Sequence, residues 1–385
     1  MKYGVLYYKD TDNIGDDIQS YASARFIPKI DYYIDRENLE SFSPNKKESV
    51  KCIMNSWYLH DKFNFDISPY IHPLYISMFF KKFPYEAGIT IGNKYINENV
   101  IENFKKYGPI GTRDNHTANL LDEIGVKNKF SGCMTLTIEK FENLEKKDYI
   151  VTNGLTEKEI NYIKSKTNRE VINYIQDVER GSFSNETWEE RMKRVEDTLK
   201  LYQQAHLVIT TKLHCSLPCL ALETPILLVY DRSFAENEDR IGTYLDYLNY
   251  VYREDLEKEE IDFEEPKSNP TKYLKLRKEL EKNCEKFIKN DNQNEILPEI
   301  EEYDYYLKKS RNMRKLPIEE LEKLQKKYEN ECEKSSIMYD ELEKNKKNYQ
   351  SLKEDHDKIN YRYNKLMVVK IRKVIKKIIK GKNKK

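Results

Sequence analysis

Long apolar runs are missing from this chain. None approaches the roughly 18–20 consecutive residues that a helix needs to cross a bilayer, so no membrane-spanning helix is expected. The opening residues, Met1 to Asp10, hold too short an apolar stretch for a signal peptide and read instead as a first strand. Paired cysteines are missing too. Cys52, Cys133, Cys215, Cys219, Cys284 and Cys332 form no CxxC pair and no Cys/His zinc spacing, which points to free thiols in a reducing cytoplasm. There is no GxGxxG and no GxxxxGK[ST], the glycine-rich loops that cradle nucleotide phosphates. His214, Cys215 and Cys219 are close neighbours, but no second cluster completes a tetrahedral site, so no metal is expected. Net charge is nearly absent at +1, yet that value hides a division. Residues 365–385 carry ten Lys/Arg and no Asp/Glu, leaving 57 basic against 66 acidic residues in the body. An acidic body is a poor nucleic-acid binder, and the tail is judged separately.

What is present is a polar chain of 385 residues, 35% charged and 38% hydrophobic. At about 150 residues per domain it holds two or three domains, and its 12% aromatic content argues against disorder. Over the first 250 residues short apolar runs alternate with helical stretches. Strands are expected at Gly4–Tyr8, Val50–Asn55, Ala87–Ile91, Tyr149–Thr152, Val171–Ile175, Leu207–Thr210 and Ile226–Tyr230. Helices are expected at Asp17–Arg25, Ile96–Phe104, Asn115–Glu123, Thr156–Ser165 (capped by Thr156), Thr187–Gln204 and Cys215–Leu222. Strands separated by helices predict an α/β protein with parallel sheets.

The expected organisation is a first Rossmann-like domain over 1–147 and a second over 148–253. An acidic linker and packing helix follow over 254–317, then a coiled coil over 318–364 and a basic amphipathic tail over 365–385. The helical stretch Lys272–Lys289 could pack on either domain. In the coiled-coil segment, ten of fourteen positions of two offset seven-residue series are apolar or aromatic, among them Leu321, Tyr328, Leu342, Leu352 and Ile359. That supports homo-oligomerisation through the coil; a long solvated helix is the plainer reading. In the tail, Val368, Ile371, Ile375 and Ile378 recur at helical spacing among lysines. This is the pattern of a helix lying on an anionic membrane surface, although a solubilising end and RNA binding fit the same composition.

In an open parallel sheet, ligands collect beyond the carboxyl ends of strands. Three segments fall there. Asn13-Ile14-Gly15-Asp16-Asp17 follows the first strand; its plain reading is a turn with Asp16 or Asp17 capping the next helix, and its functional reading is a set of acceptors for sugar hydroxyls. Gly108-Pro109-Ile110-Gly111-Thr112-Arg113-Asp114 places Arg113 just before a helix capped by Asp114 or Asn115. Arg113 there is either a surface ion-pair partner or an anion holder. In the third, the strand Leu207–Thr210 runs into Thr211-Lys212-Leu213-His214 and a small-residue helix. A histidine in such a place is usually structural. Its ordinary pKa of about 6.5 nevertheless suits proton transfer, and Lys212 adds positive charge, so the pair suits an anionic substrate that gains or loses a proton.

These segments, in this order, resemble the polysaccharide pyruvyl transferase family over roughly residues 1–250. The resemblance is carried by Asn13-Ile14-Gly15-Asp16, by Gly108-Pro109 with Arg113-Asp114, and by Gly132-Cys133-Met134-Thr135-Leu136-Thr137. It is carried also by Asn55-Ser56-Trp57 ahead of Pro73-Leu74-Tyr75-Ile76-Ser77, by Lys212-Leu213-His214 with Glu223-Thr224-Pro225, and by Asp239-Arg240. Two departures stand out. Lys212 replaces the usual Arg and so keeps the charge but loses the fork. Glu223 and Thr224 replace the usual Gly and small residue before Pro225, which puts anion binding there in doubt.

The resemblance implies two Rossmann-like domains facing a cleft in a GT-B-like arrangement. It also implies transfer of the pyruvyl group of phosphoenolpyruvate onto sugar hydroxyls of a cell-surface polysaccharide, or its lipid-linked precursor, as a ketal. No metal or cofactor is required by that chemistry; phosphoenolpyruvate is the donor substrate. On this reading His214 transfers the proton, Lys212 and Arg113 hold the donor's anionic groups, Asn13 and Asp16 orient hydroxyls, and Arg240 contacts an anion. The partners are phosphoenolpyruvate, a glycan acceptor and an anionic membrane surface met by residues 365–385, with no nucleic acid. The location is cytoplasmic, peripheral at the inner membrane face. Two other readings stay open: a GT-B-type glycosyltransferase on the same scaffold, and a non-catalytic coiled-coil adaptor carrying a degenerate enzyme domain.

Overall fold

The computed structural model describes residues 1–45, 48–58, 65–80, 98–178, 182–233 and 240–290, with the isolated positions 353 and 358. The strand expected at Ala87–Ile91, Asp239, the basic tail and, apart from Lys353 and Lys358, the coiled-coil segment lie outside the described residues. The chain divides into two compact units, Met1–Arg314 and Lys315–Lys385. In the second, the described residues Lys353 and Lys358 are helical and exposed. The elements and contacts described below belong to the first unit.

Its elements run β1 (Lys2–Tyr7), α1 (Ile14–Ala24), β2 (Tyr32–Asp35), β3 (Val50–Met54), β4 (Trp57–Tyr58), β5 (Ile71–Tyr75), β6 (Phe79–Phe80), α2 (Glu98–Tyr107), β7 (Ile110–Thr112), α3 (Asn115–Glu123) and β8 (Asn128–Phe130). Then come β9 (Tyr149–Asn153), α4 (Glu157–Lys164), β10 (Glu170–Asn173), α5 (Trp188–Gln204), β11 (Leu207–Thr210), α6 (Leu213–Ala221), β12 (Ile226–Tyr230), β13 (Tyr250–Tyr252) and α7 (Tyr273–Lys289). Two larger sheets result, ordered β2-β1-β3-β5 and β10-β9-β11-β12-β13, and every pairing in them is parallel. This is the expected α/β class. Strands β9 and β11 are buried at every position, so each opens on a continuous apolar run rather than an alternation.

The strand order also places the site. From β1 the chain moves to β2 on one side and β3 on the other; from β9 it moves to β10 on one side and β11 on the other. Such reversals open a crevice beyond the carboxyl ends of the strands. The loop after β1 and the loop after β11 both start there.

One apolar core joins the two lobes. Ile14, Ile18, Ala22 and Ile53 of the first pack in the same cluster as Val195, Leu199, Tyr202 and Leu213 of the second, together with Leu276, Leu280 and Cys284 of α7. Helix α7 touches both lobes. Tyr273 Oη donates to Leu220 O at 2.8 Å, while Lys51 of β3, 1% exposed, donates to the carbonyls of Phe287 at 2.8 Å and Ile288 at 3.1 Å, near the helix end. A charged donor suits unsatisfied helix-end carbonyls.

Between α1 and α5 lies a buried ion pair. Arg191 Nη2 donates to Asp17 Oδ1 at 2.6 Å, its Nε reaches both carboxylate oxygens at 3.0 and 3.2 Å, and Arg194 Nη2 adds a bond at 3.1 Å. The side chains of Asp17 and Arg191 are 1% and 4% exposed. Asp17 therefore fastens the lobes and does not cap α1, as the sequence had suggested for Asp16 or Asp17. The cap is Asn13, whose Oδ1 accepts from Gly15 N at 2.7 Å.

The departure at residues 223–225 is structural. Glu223 follows α6 at its far end from His214 with φ of 56°, a left-handed conformation in which glycine carries no Cβ penalty. Thr224 Oγ1 accepts from Lys146 Nζ at 3.1 Å, and Thr224 O accepts from Asn269 Nδ2 at 2.7 Å.

Candidate functional site

The site begins with the Asn13 turn. Asn13 Oδ1 also accepts from Gln176 Nε2 at 2.9 Å, and Val178 N donates to Asp12 O at 2.8 Å, so the turn after β1 is bonded directly to the loop after β10. Gly15 lies at the tightest point of that junction. A Cβ there would stand 2.7 Å from Asn13 Oδ1, 2.8 Å from Gln176 Nε2 and 2.9 Å from His214 Cβ.

One helical residue on, Asp16 turns into the crevice. It accepts from Thr11 Oγ1 at 2.8 Å and Arg36 Nη1 at 2.7 Å. Burial alone would raise its carboxyl, but Arg36 and Thr11 together hold it below its ordinary value. Arg36, whose side chain is 2% exposed, lies 4.0 Å over the Tyr8 ring and also pairs with Glu37 at 3.3 Å.

Arg113 directly follows β7, with Asp114 capping α3 by accepting from Thr117 N at 2.7 Å. Its side chain points inward and the residue is 1% exposed. Nη1 donates to Gln19 Oε1, the guanidinium lies 4.8 Å over the Phe79 ring, and Nε is buried without an acceptor. A buried guanidinium met by an amide, an aromatic face and an imidazole is incompletely compensated, which suits the arrival of an anion.

His214 lies in the first turn of α6, with φ −81° and ψ 15°, in the bridge region where active-site residues are often found. Pro218, four residues on, has no N–H to give to the His214 carbonyl, which accounts for the break in the helix. The ring is half-buried, and its Nε2 stands 3.4 Å from Arg113 Nη1. Burial first, then the charges of Arg113, Arg240 and Arg36, press its pKa well below 6.5 against the opposing pull of Asp16. These influences favour the neutral imidazole.

Lys212, the N-cap residue of α6, is not the cation against this ring. Its Nζ pairs with Asp177 Oδ2, while Asn13 Nδ2 donates to Asp177 Oδ1. Arg240 lies 5.3 Å over the Trp57 ring, and Trp57 in turn meets Phe79 edge-on at 4.9 Å. Asp16, Arg113, His214 and Arg240 thus form one electrostatic group, and Asn13 with Lys212 forms a second around Asp177. Gly15 lies between them, packed against both Asn13 and His214.

Arg36, Gln19, Gln176 and Asp177 escaped the sequence reading. Gln19 had a signal, lying three residues after Asp16 and so on the same helix face. Arg36 and Asp177 follow strand ends but sit in no motif.

A family model described as polysaccharide pyruvyl transferase matches residues 13–233. No curated protein matches the chain. Among solved structures, the chain is similar to the UDP-GlcNAc 2-epimerase of Methanocaldococcus jannaschii in complex with UDP-GlcNAc and UDP. Identity there is 11%, over 75% of this chain and 98% of that one, with a TM-score of 0.33. It is similar also to the wall teichoic acid polymerase TagF, at 8% identity over 83% of this chain and 89% of that one, with a TM-score of 0.31.

Proposed function

The chain belongs to the polysaccharide pyruvyl transferase family, and from that premise we propose that it transfers the pyruvyl group of phosphoenolpyruvate to two hydroxyls of a surface-glycan sugar. The two parallel-sheet lobes then act as Rossmann-like halves of a GT-B-like enzyme with the reaction in the crevice between them. The observation that carries the reading is the contact of Arg113 with His214, a buried cation with its Nε unspent beside a proton acceptor.

In the reaction a proton is added to the methylene carbon of the donor, leaving a cationic centre that one sugar hydroxyl attacks as its own proton returns to the base. The second hydroxyl closes the ketal as the C–O bond to phosphate breaks, and its proton leaves with the phosphate. His214 moves the proton. Arg113 and Arg240 meet the phosphate and stabilise its departure. Lys212 and Asn13 serve the other anionic end of the donor, while Asp16 orients hydroxyls. Asp16 suits that task because it stays ionised and accepts hydrogen bonds.

Incubation with phosphoenolpyruvate and surface glycans should release inorganic phosphate and add about 70 Da per modified unit to the glycan by mass spectrometry. Consumption of a nucleotide sugar without phosphate release from phosphoenolpyruvate would transfer the protein to the glycosyltransferases.

Among the described residues no helix is long and apolar enough to cross a membrane. We assign residues 365–385 to peripheral attachment at an anionic inner-membrane face, where a lipid-linked acceptor would be met, and residues 318–364 to self-association. Unchanged liposome binding after deletion of 365–385 would remove the first assignment. A monomer by analytical ultracentrifugation would remove the second.

A further inference from the structure

The carboxylate of Asp177 is held from both lobes at once. Asn13 Nδ2, from the turn after β1, donates to one oxygen, and Lys212 Nζ, from the junction after β11, pairs with the other. The backbone supports this grip: Asn13 and Asp177 form an isolated antiparallel bridge, and Gln176 Nε2 fixes the Asn13 side chain from its other end at 2.9 Å. An amide donor and an ammonium directed at the two oxygens of one carboxylate form a carboxylate receptor. Its present occupant is only loosely committed, since the side chains of Asp177 and Lys212 are 43% and 34% exposed. Such a pair gives little stability for its own sake.

We propose that the Asn13–Lys212 pair is the seat of the donor's carboxylate and that Asp177 is a resident stand-in which the donor displaces. The assignment rests on the functional reading above and adds an orientation to it. The carboxylate goes to the Asn13–Lys212 side and the phosphate to the Arg113–His214 side, with Gly15 and the peptide of the Asn13 turn between them. It also gives a reason for lysine at position 212. A flexible ammonium can leave Asp177 and follow an incoming carboxylate without the planar fork of an arginine having to break two matched bonds. The exchange puts one carboxylate in place of another on the same donors, and the displaced Asp177, 43% exposed, turns to water.

The test measures binding of three probes, phosphoenolpyruvate, pyruvate and inorganic phosphate, to the full chain by calorimetry. Asp177→Asn keeps the shape of the side chain and removes the competing charge. It is expected to bind phosphoenolpyruvate and pyruvate about three- to five-fold more tightly, the range open to an exposed ion pair, and to leave phosphate unchanged. Lys212→Met is expected to weaken both carboxylate probes at least about ten-fold and spare phosphate. An equal gain for phosphate in Asp177→Asn, or weaker pyruvate binding, would overturn the stand-in while leaving pyruvyl transfer intact. If neither wild type nor variant binds phosphoenolpyruvate at all, the functional reading falls and takes this assignment with it.

Discussion

Nη1 of Arg113, in the first lobe, stands 3.4 Å from Nε2 of His214, in the second. A guanidinium has donors only, so the imidazole nitrogen facing it is the acceptor and carries no proton. The contact defines the resting protonation state of the site and ties it to the arrival of negative charge.

A first expectation is that donor binding takes up a proton. An anion beside Arg113, Arg240 and Arg36 offsets the charges that depress His214, so its pKa rises on binding. Calorimetric titration of phosphoenolpyruvate near neutrality should give heats that depend on the ionisation enthalpy of the buffer. His214→Gln should lose most of that dependence, and buffer-independent heat in the wild type would refute the coupling. The same depression has a folding counterpart. The unfolded imidazole protonates near pH 6.5 while the folded one resists, so the contribution of His214 to stability is intact above that pH and is lost as pH falls below it.

Replacing Arg113 by Lys keeps one positive charge and removes the fork that reaches Gln19 and lies over Phe79. Donor affinity should fall about ten- to hundred-fold, the worth of a charge-assisted hydrogen bond or two. Unaltered affinity in equilibrium binding would show that the anion lies elsewhere.

The Asp17–Arg191 pair predicts a purely structural lesion. Asp17→Ala leaves a guanidinium buried without its carboxylate and should cost about 3–5 kcal/mol, read as a lower urea midpoint. Adding Arg191→Leu should recover part of the loss, since an uncharged pair no longer needs compensation.

Glu223 predicts a gain. Its left-handed backbone strains a residue with a Cβ by about 1–2 kcal/mol, part of which glycine returns through its greater unfolded freedom, about 0.5–1 kcal/mol. Glu223→Gly should therefore stabilise by about 0.5 kcal/mol, seen as a small rise in melting temperature with phosphate release unchanged. The exposed partner Lys140 offers little resistance.

Much of this arrangement was legible in the chain itself. Continuous apolar runs identified β9, β11 and β12 because both their faces are covered, and the run into Lys212-Leu213-His214 located the junction that carries the imidazole. The edge strands of the first sheet, β2 and β5, were not legible. β2 reads Tyr-Tyr-Ile-Asp, and β5 contains Pro73, which a strand at a sheet edge tolerates because its free side needs no N–H. Missing β2 concealed Arg36, which follows it directly. Pairings across the lobes, such as Asp177 with Lys212 and Asp17 with Arg191, depend on how the sheets meet, and no local spacing encodes that.

The absent side chain of residue 15 has a consequence for how such a protein can change. At that point the halves of the molecule are kept apart by little more than a hydrogen atom, immediately behind the imidazole. Any larger residue would act as a wedge and reset the aperture of the crevice without altering a single charge. Divergence of the site must therefore proceed through the crevice walls, because the seam itself has no room to drift.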